Sequence, residues 1–237
     1  MHEGRRILAV VPARGGSKGI PLKNLRTIGG VSLVAMAGHV ATAVAAIDRA
    51  VVSTDHEGIA AEAERAGLAA PFRRPEGLSG PTIADWDVLH HALLTMEARD
   101  GVTYDLVLML QPTSPSRTAG HVMRCIAMLV DGGFDAVWSV SETDSKGHPL
   151  KQLTIGDGDA LDYYDPAGAK IVARQQLKPV YHRNGIVYAF TRQCLVEQKT
   201  IKGAKTGALL ISEPVSNIDT EMDLAWAEFL LSREGKS

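Results

Sequence analysis

"ILAVVPARGGSKGIPLKN", residues 7–24, decides the fold. Ile7 to Val11 form a short, wholly apolar run, and a loop with three glycines and three cations (Arg14, Lys18, Lys23) follows directly. Such a run reads as a strand covered on both faces, the pattern of a parallel sheet. Ligands of open α/β sheets bind beyond the carboxyl ends of the strands, where this loop emerges. Its glycines let backbone N–H groups approach phosphate oxygens, and its cations balance the charge. The spacing fits neither a Walker A loop nor a G-x-G-x-x-G fingerprint. The competing account is a solvated basic turn.

Working outward, "AVVS" (50–53), "LVLML" (106–110), "AVWSV" (136–140) and "IVYAF" (186–190) repeat the buried-strand pattern. Helical spacing separates them: Leu33, Met36, Val40, Val44 and Ile47 recur on one face. Asp55 is expected to cap the next helix, with Gly67 closing it. Thr82 and Asp85 form a possible capping box before "WDVLHHALLTM", and Thr118 opens "AGHVMRCIAMLV". Strand and helix in alternation predict an α/β fold with a doubly wound, mainly parallel sheet. Residues 141–182 and 194–213 are polar and turn-rich, and read as an annex to a single domain spanning 1–237.

Lys and Arg number 25 against 27 Asp and Glu, so no global field favours nucleic acid and the basic cluster is local. Cys125 and Cys194 are distant and unpatterned, which argues against a disulfide framework or zinc site. No stretch approaches the ~20 apolar residues of a membrane helix, and the expectation is a cytoplasmic protein free of membrane. No G-x-S-x-G nucleophile elbow occurs. "NIDTEMD" (217–223) places Asn217, Asp219, Glu221 and Asp223 before an apolar-periodic stretch, which on residues alone is a helix start capped by Asp219 or Thr220.

The loop closely resembles the P-A-R-x-x-S-K-G-x-P-x-K-N signature of the CMP-sialic acid synthetases, the acylneuraminate cytidylyltransferases. The likeness continues through "DRAVVSTD", "RRPEGLS", "LQPTSPSRT", "HPLK", "RQQLKP", "RNGIVY" and "NIDTEMDLAWAE", in the family's order. It implies a Rossmann-like nucleotidyltransferase fold and magnesium-dependent transfer of CMP from CTP to a nonulosonic acid. By position it implies that Arg14, Ser17, Lys23 and Asn24 contact the nucleotide, with Arg74 near the cytosine. Gln111, Thr113, Ser114, His182, Arg183, Asn184 and Tyr188 fall at acceptor positions. Asp219 matches the second of two Mg²⁺-holding aspartates, and Asn217 stands where the first is expected. The catalytic set implied is Arg14, Lys23 and Asp219. Relatives pair as homodimers through the annex, which would bring Lys151 and Arg174 to the neighbour's site.

Besides Asn217, three positions depart from the pattern: Pro81 replaces an aspartate, His182 stands where an arginine is usual, and Ile186 replaces alanine. The acceptor stays open among sialic-, legionaminic- and pseudaminic-type sugars and KDO-like acids. A non-catalytic nucleotide-binding homologue is the other reading.

Overall fold

A computed structural model describes residues 1–234. The chain divides into two compact units, the first made of residues 1–139, 184–209 and 213 onward, the second of 140–183 and 210–212. The elements are β1 (Ile7–Pro12), β2 (Thr27–Ile28), β3 (Val31–Ser32), α1 (Leu33–Ala43), β4 (Arg49–Ser53), α2 (Glu57–Arg65), α3 (Asp85–Asp100), β5 (Leu106–Met109), α4 (Ala119–Asp131), β6 (Ala136–Glu142), β7 (Leu153–Ile155), β8 (Leu161–Tyr163), β9 (Tyr181–Thr191), α5 (Arg192–Val196), β10 (Thr206–Leu210) and α6 (Glu221–Glu234).

The sheet runs β10-β6-β9-β5-β1-β4, with β1 parallel to both β4 and β5 and β9 antiparallel to β5. All five apolar runs are strands. Leu8 and Val10 pack with Val107, Met109, Tyr188 and Phe190 under Leu89, Ala92, Leu93 and Met96 of α3. Their neighbours Ile7, Ala9 and Val11 alternate to the other face and are equally buried. Helices therefore cover both faces: α1 with α2 and α4 as one contacting set, α3 with α5 as the other. That is the doubly wound α/β fold. Among the described residues no helix is long and apolar enough to cross a membrane.

A second apolar cluster holds the cleft's rim. Ile20, Ile28 and Leu33 pack against Ile218, Leu224 and Ala227. The antiparallel β2–β3 pair, the end of the glycine loop and α6 are thereby clamped together.

Several local expectations are corrected. The helix after β4 is capped by His56, whose ring accepts from the Ile59 N–H at 3.3 Å, because Asp55 turns back to the glycine loop. α3 starts at Asp85 after Ala84, which caps with no side chain, so Thr82 lies outside the helix and forms no capping box. α1 ends at Ala43, before the periodic positions Val44 and Ile47. Thr118 does cap α4, with His121 closing the box. Residues 194–209 belong to the first unit rather than to an annex: β10 is a sheet strand, legible only as Gly207 and Leu209 turned inward.

The second unit contains the antiparallel β7–β8 pair, Leu153 facing Tyr163 and Ile155 facing Leu161. Every residue of the pair is exposed. His148 is buried and braces this unit, accepting from the Leu150 N–H through Nδ1 and donating from Nε2 to the Lys178 carbonyl at 3.0 Å.

Candidate active site

A cleft of about 510 Å³ opens in the first unit, beyond the carboxyl ends of β1 and β5. Arg14, Ser17, Lys23, Asn24, Arg74, Gln111, Thr113 and Asp219 all line it, although the chain supplies them from four separate stretches. Arg14 and Asp219, 205 positions apart in sequence, share one cavity.

The glycine loop is held by its backbone, which leaves its side chains to the cleft. The Gly15 N–H donates to Asp55 Oδ1 at 2.9 Å, and buried Asn24 donates from Nδ2 to the Arg14 carbonyl at 2.9 Å. A Cβ at Gly15 would press on the His56 ring at 3.0 Å, and one at Gly19 would collide with the Asp219 carbonyl. Leu22 adopts left-handed geometry (φ 47°), which costs a non-glycine residue about 1–2 kcal/mol and aims the following Lys23. Lys23 Nζ donates to the Ile218 carbonyl at 2.6 Å and to Asp219 Oδ1 at 2.8 Å. Ile218 N–H donates to the Thr113 carbonyl at 2.8 Å. The loops after β1 and β5 and the entry to α6 thus meet at residues 218–219.

Arg74 is the most informative cation. It is 6% exposed, and its Nε and Nη2 find no hydrogen-bond partner among the described residues. Burial lowers its pKa, Arg14 pushes the same way and Asp55 opposes. A buried guanidinium with idle donors on a cleft wall is costly unless a ligand supplies acceptors.

The acidic motif divides its labour. Thr220 is the helix cap: its Oγ1 accepts from the Asp223 N–H, while Asp223 Oδ2 accepts from the Thr220 and Asp219 N–H groups at 2.8 and 3.0 Å. The Thr220 hydroxyl, which donates to the same Oδ2 at 2.8 Å, and these two N–H bonds hold the Asp223 carboxyl below the usual range against the effect of burial. Glu221 forms a forked pair with Arg26 at 2.6 and 3.0 Å. Asp219 is left for the cleft, 75% exposed at its side chain. Asn217 is exposed and does not line the cleft. No group of three His, Cys, Asp or Glu suited to a metal exists among the described residues. One carboxylate and a nearby amide fit Mg²⁺ only as partners of phosphate oxygens and water, its usual coordination.

Three acceptor candidates point inward. Ser114, Asn184 and Tyr188 are at most 2% exposed, and all serve the turn at Gly185. Ser114 Oγ donates to the Asn184 carbonyl at 3.1 Å, Ser139 Oγ to Asn184 Oδ1 at 2.7 Å, and the Gly185 N–H to Tyr188 Oη at 2.8 Å. Their side chains build the wall behind Gln111 and Thr113. Buried Arg117, which sequence reasoning passed over, completes that wall by donating to the carbonyls of Gln111, Gly185 and Ile186. Burial pushes its pKa down to about 9, still cationic at neutral pH. His182, Arg183, Lys151 and Arg174 belong to the second unit, where Arg174 lines a cavity of about 170 Å³ and His182 Nδ1 lies 2.9 Å from Thr143 Oγ1. Asp55, Asp85 and Arg117 carried no motif signal beyond helix-start or turn chemistry.

Residues 8–208 match the model of the cytidylyltransferase family. The chain belongs to that family. It is 32% identical to the CMP-N,N'-diacetyllegionaminic acid synthase of Legionella pneumophila, over 94% of each chain. It is 29% identical to N-acylneuraminate cytidylyltransferase A of Danio rerio, over 95% of this chain and 50% of that one. A CMP:2-keto-3-deoxy-manno-octonic acid synthetase complexed with CTP superposes with a TM-score of 0.69, covering 97% of this chain and 99% of that one at 17% identity, a likeness of fold. The resemblance to CMP-sialic acid synthetases therefore holds, and the protein is an enzyme of the nucleotidyltransferase class.

Proposed function

We propose that the protein transfers CMP from CTP to the anomeric hydroxyl of a nonulosonic acid and releases pyrophosphate. The observation that carries this is the cleft itself: three loop cations, a buried guanidinium with idle donors and two carboxylates line one cavity sized for a nucleotide. The relatives' names supply the acceptor class, legionaminic or sialic type.

In this reading the acceptor hydroxyl attacks the α-phosphorus in line, the P–O bond to the β-phosphate breaks, and the hydroxyl proton leaves to solvent or a nearby base. Such chemistry asks a protein mostly for positioning and charge stabilisation. Arg14 and Lys23 hold the phosphates, with Ser17 and Asn24 on the same loop. Arg74 meets the nucleoside, and Gln111 and Thr113 meet the sugar. Asp219 would hold Mg²⁺ against the phosphates, with Asn217 two positions before it in the chain, and the ion would neutralise charge on the leaving group. Before ligand arrives Lys23 rests on Asp219, so polyphosphate and metal would separate that pair and engage both members.

A homodimer belongs to the same reading. Leu153, Ile155, Leu161 and Tyr163 are 51%, 74%, 64% and 40% exposed on one short strand pair, an apolar surface that a second copy would cover. Lys151 and Arg174 would then serve the partner's cleft. Pyrophosphate release from CTP, GTP and UTP with Mg²⁺ across purified nonulosonic acids tests the whole proposal. Turnover with CTP and at least one such acid is expected; none across the panel would overturn it. Sedimentation of the intact protein tests the dimer.

A further inference from the structure

We propose that Arg117 is a positioning residue for the acceptor: one of its guanidinium nitrogens grips the carbonyls of both Gln111 and Gly185, which sets where the Gln111 amide meets the sugar acid. The inference rests on the cytidylyl-transfer reading, in which Gln111 contacts the acceptor.

Arg117 Nη2 donates to the Gln111 carbonyl at 2.5 Å and to the Gly185 carbonyl at 3.1 Å, and Nε donates to the Ile186 carbonyl. The first two gripped residues also touch each other. A Cβ on Gly185 would stand 2.9 Å from Gln111 Oε1, so the Gln111 amide lies against the bare glycine Cα. Two residues on, the Thr113 carbonyl accepts from the Ile218 N–H at 2.8 Å. The segment that presents Gln111 and Thr113 to the cleft is thus held through its carbonyls, which leaves both side chains for ligand.

The bland account makes Arg117 a staple for the fold. It is 5% exposed, its hydrogen bonds go to carbonyls, and no carboxylate pairs with it among the described residues. A cation buried on neutral groups alone is costly, and well-packed apolar side chains commonly hold a fold at no greater cost. What a guanidinium adds is direction, a planar fork that fixes several oxygens in one geometry. Here the fork is aimed at a cleft residue and at the glycine beneath its side chain.

The test measures KM for CTP and for the acid separately by pyrophosphate release, with the nonulosonic acid that the wild type turns over best in the panel above. Arg117→Met removes the fork, and Arg117→Lys keeps a cation without its planar geometry. Each is made alone and together with Gln111→Ala. Alone, Arg117→Met should raise KM for the acid about tenfold or more, the scale of one hydrogen bond to a charged group, and Arg117→Lys should raise it less. KM for CTP should stay within about twofold in both. In the Gln111→Ala background the same substitutions should move the acid KM by less than about twofold, because the group they misplace is gone. A staple acting on the fold alone would lower Tm and raise both KM values in either background. Equal rises for CTP and acid, an acid effect that persists in Gln111→Ala, or a Gln111→Ala protein with wild-type KM for the acid overturns the assignment. Failure of both Arg117 variants to fold overturns it too. A wild type that turns over no acid in the panel would instead overturn the underlying function, which keeps the two failures distinct.

Discussion

Gly185→Ala probes the wall behind the acceptor residues. Gly185 sits at φ +78°, where an alanine costs about 1–2 kcal/mol. The new Cβ would also collide with Ser114 Oγ and stand 2.9 Å from Gln111 Oε1. Moving Ser114 sacrifices its bond to the Asn184 carbonyl, worth about 1 kcal/mol net, and leaves a buried hydroxyl idle. The sum is roughly 2–4 kcal/mol. For a chain of this length each kcal/mol moves Tm by about 2–4 °C, so scanning calorimetry should show a drop of roughly 5–15 °C. Displaced Gln111 should raise KM for the sugar acid while KM for CTP changes little. The double variant Ser114→Gly, Gly185→Ala removes the collision and keeps the φ strain, and should be more stable than the sum of the single changes by about 1 kcal/mol. A Gly185→Ala protein within about 0.5 kcal/mol of wild type, or strict additivity in the double variant, refutes the reasoning.

Arg74→Met should raise the CTP Kd tenfold or more, since charged hydrogen bonds are worth about 1.5–3 kcal/mol, while isothermal titration with inorganic pyrophosphate changes less. Lys23→Ala should cut turnover by orders of magnitude in a protein that still melts cooperatively; near-normal turnover removes Lys23 from the chemistry. Asn217→Asp should lower the half-saturating magnesium concentration, because a second carboxylate adds charge at the metal; an unchanged value means Asn217 is no ligand. Burial lowers the pKa of His91 and His121, so the unfolded chain binds more protons below the ordinary histidine value of about 6.5, and stability falls as pH drops below that value. Denaturant midpoints between pH 7 and 5 should fall, with a shallower slope in His91→Gln.

The central strands were legible because a sheet covered on both faces demands unbroken apolar runs, and "ILAVV" and "LVLML" supply them. β10 was not: an outer strand of five residues, with Gly207 and Leu209 inward and Thr206, Ala208 and Leu210 outward, shows no apolar alternation that would stand out from a turn-rich segment. The glycine loop announced its own cations, and motif order placed Arg74, Gln111 and Asp219 at the same cavity. A motif gives position without giving direction. Ser114, Asn184 and Tyr188 match acceptor positions, yet their side chains serve the Gly185 turn through bonds that reach 70 positions from Ser114 and 45 from Ser139, with only the Tyr188 bond being local. Asp55 reads as a helix cap from its neighbours alone; its bond to Gly15 spans 40 positions and leaves no local trace.

Thr220 and Asp223 close the start of α6 between themselves. The cap of the helix thus uses the side chain of neither Asp219 nor Asn217. A substitution of either side chain therefore leaves that cap intact.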